Sequence, residues 1–200
     1  MSIAVAVSKG GRTVIAADSQ ENFGDRRVPR SNHRSAKILR VGTSYLATTG
    51  WGLYDNILQD YLARARSPRL GDERQVFAFF LRFWKALRDR YSFVNDQSQE
   101  DDPTPFADLD SSFLLANGAG IFQISGNLSV TRFEQYYAVG SGASYALGAT
   151  HALYEQKLDA EEIARRACAA AIAFDVSCGG DMDVYAFAAR PRRAKRAAKR

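Results

Sequence analysis

The sequence predicts an α+β fold with four layers, in which two antiparallel β-sheets lie between two pairs of helices. Its predicted elements come in blocks: strands, two helices, strands, two helices and a last strand. Such blocks are typical of antiparallel sheets covered by helices, whereas parallel sheets need strands and helices in alternation. With 200 residues, the chain is long enough for one domain with a sizeable core. We therefore expect a single domain at 1–190 and a short tail at 191–200.

The first predicted element is a β-hairpin at the start of the chain. Ile3, Val5 and Val7 alternate with smaller residues, which is typical of a strand whose two faces differ. Two glycines at 10–11 make the turn, and a second apolar run leads to Asp18. We expect no leader peptide, because the segment has neither a basic start nor a long apolar stretch.

Ser2 stands directly ahead of this hairpin and can combine a nucleophile with a base. Removal of Met1 is expected before a residue as small as serine, and it leaves Ser2 with a free α-amine. The pKa of an α-amine is about 7.7–8.0, so much of it is neutral near pH 7 and can accept the hydroxyl proton. Many ordinary proteins also begin with Met-Ser, so this position alone makes Ser2 only a candidate nucleophile.

The chain up to residue 90 alternates between strand and helix patterns. The polar, arginine-rich stretch at 19–35 predicts irregular or edge structure. Strand patterns follow at 36–41 and 45–49. Apolar residues then recur at helical spacing over 53–62 and 76–87, which predicts two helices.

The second half of the chain repeats this order with another block of strands and another helix pair. The predicted strands are 113–116, 121–125 and 137–139. Two predicted helices follow, from 142 to 154 and from 159 to 172, and the last predicted strand is 182–189. The helix pairs are therefore separated by strands, as the four-layer arrangement requires.

Two stretches carry charge of one sign only. The segment Asn95–Asp110 holds six carboxylates and no basic residue, so it is either a solvated loop or an acidic surface for basic substrate segments. The segment Arg190–Arg200 holds seven cations; taking these from the net charge of +5 leaves −2 on the rest of the chain. This tail is either solvated or a contact for nucleic acid or another partner.

Composition argues against several kinds of site. Cys168 and Cys178 are too few for a disulfide framework, and with His33 and His151 they form no cluster with metal-ligand spacing. We assign neither histidine a catalytic role. No apolar run approaches the ~20 residues that cross a membrane. We expect a cytoplasmic, reduced protein that needs no metal or cofactor and has no membrane partner.

Five short motifs, taken together and in order, resemble the proteasome β-subunit and HslV family of N-terminal nucleophile hydrolases. They are Ala6–Gly11, Ile15–Asp18, the strand with Lys37, Thr49–Gly52 and Val139–Leu147. The resemblance covers residues 2–190 and is strongest to the branch called betaproteobacterial proteasome homologues. It implies the four-layer fold of that family and a peptidase that cleaves unfolded polypeptides or peptides.

The same resemblance implies partners for the chain. Members of this family form homo-oligomeric double rings, so we expect six or seven copies per ring and active sites inside the cylinder. The resemblance leaves open whether an ATP-dependent unfoldase is a further partner, and nucleic acid is not an expected partner. An inactive, ring-forming scaffold subunit remains the alternative function, although such a subunit need not keep every residue of the catalytic pattern.

The family pattern also assigns a catalytic centre to four residues. Ser2 stands where the family has its nucleophile, although the family residue is usually threonine, whose β-branch restricts the hydroxyl. Asp18 and Lys37 match the acidic and basic partners, and a lysine ammonium nearby would favour the neutral α-amine. Gly50 matches the glycine whose backbone N–H forms the oxyanion hole. Without the resemblance, the sequence favours a turn residue at the end of a strand for Asp18 and a solvated strand residue for Lys37.

Three further residues match the hydrogen-bonding network that surrounds this centre. Ser141 corresponds to a serine that hydrogen-bonds near the nucleophile's amine, and Asp175 to a second acid. Cys178 stands where the proteasome has a serine, so a weak hydrogen-bonding group replaces a strong one. By the same comparison, the expected substrate-binding residues are Asn22, Ser35, Thr48 and Gly52.

Overall fold

The structure is a computed structural model that describes residues 2–28, 30–33, 36–91, 109 and 111–188. Several predictions fall elsewhere in the chain. Ser35, the basic tail at 191–200, and the acidic segment 95–110 apart from Leu109 all lie outside the described residues.

The first half contains six strands and two α-helices within the described ranges. They are β1 (Ile3–Lys9), β2 (Arg12–Asp18), β3 (Glu21–Phe23), β4 (Arg26–Val28), β5 (Ile38–Val41), β6 (Ser44–Gly50), α1 (Gly52–Arg64) and α2 (Glu73–Arg90). A 3₁₀ turn at Arg30–Asn32 follows β4. The two predicted helices and the strands around them are confirmed.

The second half contributes five strands and two α-helices to the described structure. They are β7 (Ser111–Asn117), β8 (Gly120–Ile124), β9 (Val130–Phe133), β10 (Tyr136–Gly140), α3 (Ala143–Tyr154), α4 (Ala160–Phe174) and β11 (Met182–Ala188). The predicted block order is therefore confirmed.

The structure differs from the sequence prediction in three local places. The stretch predicted as irregular or edge structure contains the short hairpin β3–β4, paired from Glu21 with Val28 to Phe23 with Arg26. Strand β9 was not predicted, because its residues are half-buried or exposed and show no clean alternation. Lys37 lies one residue ahead of β5 rather than within it.

The first hairpin has the predicted geometry. Its two-residue turn places Gly10 at φ +60° and Gly11 at φ +74°, in the left-handed region that a tight turn of this type needs. Pairing runs from Lys9 with Arg12 to Ala4 with Ala17. Asp18, at the end of β2, therefore lies beside the start of β1.

Two antiparallel sheets form the middle of the molecule. One has the strand order β10-β1-β2-β11 and the other β5-β6-β7-β8-β9. Their facing surfaces are rich in alanine, which lets the sheets come close together. The buried residues between them are Ala4, Ala6, Ile15, Ala17, Ile38, Ala47, Leu114, Ala116, Ile121 and Val139.

Helix pairs cover the two outer faces and complete the α+β four-layer sandwich. Ile3, Val5 and Val7 point away from the second sheet and pack against α3 and α4. On the other side, α1 and α2 pack on the second sheet through an aromatic core that includes Phe80 and Phe113, with ring centroids 4.9 Å apart. The predicted fold class is therefore confirmed.

Candidate active site

Several strand ends meet at one edge of the sandwich. Ile3 begins β1 and pairs with Gly140 at the end of β10, and Met182 at the start of β11 pairs with Asp18 at the end of β2. Strand β6 ends at Gly50, which lines the same cavity as Ser2. The antiparallel topology therefore brings residues far apart in sequence to one place.

Asp18 is the buried centre of this edge. Its side chain is fully buried and accepts hydrogen bonds from two directions. Oδ1 accepts from the Ile3 N–H at 3.1 Å and from Lys37 Nζ at 2.7 Å. Oδ2 accepts from the N–H groups of Gln20 at 3.3 Å and Gly179 at 2.9 Å. These four donors hold the carboxylate in one orientation.

Lys37 forms a buried ion pair with Asp18. Only 7 % of its side chain is exposed, which excludes the solvated position that its sequence context alone allowed. Its carbonyl also accepts from the Thr48 N–H at 3.2 Å, which fixes the backbone beside β6. The ammonium group is therefore held with little freedom beside the cavity that contains Ser2.

A small cavity of about 70 Å³ collects most of the predicted site residues. Its lining includes Ser2, Lys37 and Gly50 from the predicted catalytic centre, and Asn22, Thr48 and Gly52 from the predicted substrate-binding set. A larger cavity of about 640 Å³ lies between the loops around Thr43, Arg69 and Gly118 and holds none of these residues. We therefore place the candidate active site at the smaller cavity.

The first residue of the site is clamped through its carbonyl. The Ser2 carbonyl accepts from the Ser141 hydroxyl and from the Gly142 N–H, both at 3.4 Å. Gly140 packs against the same carbonyl so closely that a Cβ atom at this position would lie 2.1 Å from the oxygen. With a φ of +104°, Gly140 also has a backbone conformation that other residues rarely adopt.

Asp175 and Cys178 belong to the hydrogen-bonding network around Ser141. Burial acts to raise the pKa of Asp175, but hydrogen bonds from Ser141 and Ser177 outweigh it and hold the pKa below its ordinary value. Burial and the nearby carboxylates of Asp18 and Asp175 raise the pKa of the Cys178 thiol to about 12. Cys178 is therefore a neutral thiol that hydrogen-bonds within the network, and its replacement of serine leaves the network connected.

The predicted substrate-binding residues differ in how free their side chains are. The Asn22 amide donates to the Ser177 carbonyl at 2.9 Å and accepts from Gln20 at 2.8 Å, so both ends are already used within the protein. The Thr48 hydroxyl donates to Asp55. Gly52 starts α1 at the cavity wall without a side chain. Of these residues, Gly52 therefore offers only its backbone to a ligand, whereas Asn22 and Thr48 already hydrogen-bond within the protein.

Together with Glu21, Asp55 is a cavity residue that the sequence analysis missed. It lies in the first turn of α1, where acidic residues are common because they favour the helix N-terminus. No sequence signal therefore separates Asp55 from an ordinary helix-start residue. Only the packing of α1 against β6 turns its carboxylate into the cavity.

Comparison with known proteins shows which family the chain belongs to. No family model matches the chain. The ATP-dependent protease subunit HslV of Bartonella quintana (strain Toulouse) is 30 % identical over 165 residues, which cover 82 % of this chain and 77 % of the relative. The chain belongs to the HslV family. HslV of Caulobacter sp. (strain K31) is 29 % identical over 187 residues, 90 % of either chain.

Solved structures extend the HslV assignment to the proteasome-like fold. BPH of Thiobacillus denitrificans, solved in complex with Epoxomicin, is 33 % identical to this chain. The two structures superpose with a TM-score of 0.84, and the match covers 94 % of this chain and 100 % of the BPH chain. Eukaryotic HslV from Trypanosoma brucei is 20 % identical with a TM-score of 0.63 over 93 % of this chain, which supports the fold alone. Within the described ranges, none of the helices of this HslV-family chain combines the length and apolar character needed to span a bilayer.

Proposed function

We propose that this HslV-family chain is a peptidase whose nucleophile is the Ser2 hydroxyl and whose base is the α-amine of the same residue. The observation that carries the proposal is the buried Lys37–Asp18 ion pair beside Ser2. Lys37 and Ser2 line one cavity, and the other carboxylate oxygen of Asp18 is already occupied by backbone donors. Burying an ion pair is costly, so a buried pair whose lysine lines a cavity fits a chemical role better than a structural one.

The reaction begins when the bond between Met1 and Ser2 has been cleaved and the α-amine is free. The neutral amine accepts the hydroxyl proton while Oγ attacks the carbonyl carbon of the peptide bond. The tetrahedral intermediate then collapses, the C–N bond breaks, and the proton passes to the leaving amine. Water hydrolyses the ester on Ser2 in a second step, with the α-amine again accepting a proton and returning it to Oγ.

The neighbouring residues favour each step. The Lys37 ammonium lowers the pKa of a nearby amine by charge repulsion and stabilises the developing alkoxide. The Gly50 N–H donates to the negative oxygen of the intermediate. A fixed backbone donor stabilises this charge more strongly than water does. Ser141 and Gly142 hold the Ser2 carbonyl, and Asp175 orients Ser141. Asp18 holds the Lys37 side chain in place.

We also propose that the chain acts within an assembly in the cytoplasm. Its relatives are named subunits of an ATP-dependent protease, which supports a homo-oligomeric double ring and an ATP-driven partner that delivers unfolded polypeptide. Six or seven copies per ring are both compatible with this family. The enclosed arrangement would restrict access to chains that enter the cylinder unfolded.

Intact-mass spectrometry of the native protein tests the nucleophile directly. We expect the protein to lack Met1 and to gain the mass of one epoxyketone peptide per chain, with tandem fragmentation placing the adduct on Ser2. Such a reagent needs both the hydroxyl and the free amine, so it separates Ser2 from any other reactive serine. Retention of Met1, or an adduct elsewhere, would contradict the proposal.

The Lys37→Ala variant is the second arm of this experiment. We expect peptidase activity to fall about 10²- to 10³-fold, the range for loss of one group that stabilises charge developing in the transition state. Three backbone donors still hold Asp18, so the variant should fold and assemble. A variant with normal assembly and near wild-type kcat would remove Lys37 from the mechanism.

A further inference from the structure

One group in the active-site cavity has no role in the proposed chemistry. Asp55 projects from the first turn of α1 and lines the cavity together with Ser2 and Gly50. The Thr48 hydroxyl donates to its carboxylate. Among the residues that the structure describes, no lysine or arginine forms an ion pair with Asp55. The cavity therefore contains a carboxylate whose charge is not matched by a contacting cation.

The surroundings of Asp55 disfavour its charge. Burial, together with repulsion from Glu21, raises the pKa of Asp55 to about 6 despite the hydrogen bond from Thr48 and the attraction of Lys37. The ionised form of such a buried carboxyl group is stabilised when a cation approaches it. Lys37 does not fill this role, because its ammonium lies 2.7 Å from Asp18.

We infer that Asp55 makes this cavity a pocket for a lysine or arginine side chain of the substrate, namely the side chain of the residue whose carbonyl Ser2 attacks. The inference rests on the proposed function, because it takes the cavity beside Ser2 as the place where the peptide binds.

The position and size of the cavity support this assignment. Since the cavity wall includes both Ser2 and Gly50, the side chain next to the attacked carbonyl is the one that can reach it. A volume of about 70 Å³ suits a single side chain, and the Asp55 carboxylate in its lining favours a cationic one. The methylene groups of lysine or arginine would pass the rim near Trp51, and the charged end would meet Asp55.

A series of matched peptides measures the preference. The substrates differ only in the residue before the cleaved bond, which is lysine, arginine, norleucine or aspartate; norleucine has the lysine chain without the ammonium group. At about pH 8, we expect kcat/KM for the lysine peptide to exceed that for norleucine by about tenfold or more, since a buried charge-assisted hydrogen bond distinguishes them.

Two substitutions separate Asp55 from a general effect of charge. Asp55→Asn should reduce the lysine-to-norleucine ratio about tenfold, whereas Asp55→Glu, which keeps the charge, should retain a preference for lysine. Asp89→Asn is the matched control, because Asp89 is an exposed residue near the end of α2 and lines neither cavity described above. It should leave the ratio at the wild-type value.

The pH dependence of the same ratio tests the inference without any variant. The groups that face Asp55 are Thr48 on β6, Glu21 on β3 and Lys37 ahead of β5. Lowering the pH from about 8 to about 5 protonates Asp55 and should reduce the ratio in the wild type but not in Asp55→Asn. Titration of the Ser2 amine affects both peptides equally and cancels in the ratio.

The outcomes distinguish failure of this inference from failure of the proposed function. If Ser2 carries the epoxyketone adduct and the peptides are cleaved, but lysine and norleucine react equally or Asp55→Asn keeps the ratio, the pocket does not recognise a cation. If no peptide is cleaved and Ser2 gains no adduct, the peptidase proposal fails and the inference fails with it.

Discussion

Asp18 illustrates how single residues hold this site together. Removing one partner of a buried ion pair usually destabilises a protein by about 3–5 kcal/mol, because a charge is left buried without compensation. The Asp18 carboxylate is a milder case, since the N–H groups of Ile3, Gln20 and Gly179 also donate to it. The backbone therefore carries much of the structural role, which leaves the Lys37 ammonium available for chemistry.

Asp55 gives a prediction for stability as well as for specificity. An acid whose pKa is raised from 3.8 to about 6 binds its proton more tightly in the folded state. The protonated carboxyl group therefore adds about 2–3 kcal/mol to the free energy of unfolding. This contribution is fully present below the pKa that Asp55 has in the unfolded chain, and it is lost as the pH rises through the pKa in the folded protein. Asp55→Asn should therefore have a higher Tm than the wild type above about pH 7, and the difference should close near pH 4.

Thermal denaturation across this pH range checks the prediction, with assembly state monitored in parallel. The asparagine amide can still accept from Thr48, so the comparison isolates the charge. A Tm difference that stays constant with pH would mean that Asp55 is not held as a buried carboxylate.

At the scale of the elements, the end of β10 decides where Ser2 lies. Gly140 combines a φ of +104° with direct contact to the Ser2 carbonyl, so any side chain there must displace the nucleophile. Helix α3 starts three residues later, and the N–H of its N-cap residue, Gly142, donates to the same carbonyl. The strand and the helix therefore position Ser2 together, although neither supplies a reacting group.

This arrangement predicts that Gly140→Ala is severely damaging. We expect a loss of at least about 1–3 kcal/mol from backbone strain alone, together with loss of peptidase activity. Gly148→Ala is the matched control, since Gly148 lies within α3 and an added Cβ meets nothing within 4 Å. It should be neutral or stabilise the helix by up to about 1 kcal/mol. Equal effects in unfolding and activity assays would show that β10 does not position Ser2.

On the scale of the whole molecule, one chain leaves apolar surface exposed near the end of α4. Phe174 is 70 % exposed and Val176 is 85 % exposed, and the Phe174 ring stacks on the half-exposed Tyr145 with centroids 5.7 Å apart. Exposed apolar groups of this kind are typical of surfaces that another chain covers. We therefore expect these three residues to lie at a contact between subunits of the proposed ring.

The Phe174→Asp variant tests this contact by placing a charge in it. We expect native mass spectrometry to show smaller species than the wild type under the same conditions, because burying an unpaired charge opposes association. Phe174→Leu, which keeps an apolar side chain, should assemble as the wild type does. If the aspartate variant also forms the full assembly, the surface near Phe174 lies outside the subunit contacts.

The sequence by itself determined the elements whose signal is local. The alternation of Ile3, Val5 and Val7 with alanines predicted the two faces of β1, and the glycine pair predicted its turn, because both depend on neighbouring residues only. The block order of strands and helices then led to the four-layer fold. The candidates Ser2, Asp18 and Lys37 came from the family resemblance, since local pattern alone could not separate them from ordinary turn or surface residues.

Only the tertiary structure decided how these residues meet. The donors to Asp18 come from residues 3, 20, 37 and 179, and no local pattern links these positions. Asp55 looked like a common helix-start residue until the packing of α1 against β6 turned it into the cavity. The physical reason is that a side chain's pKa and contacts depend on burial and on distant strands, whereas sequence periodicity reports only which face of an element is apolar.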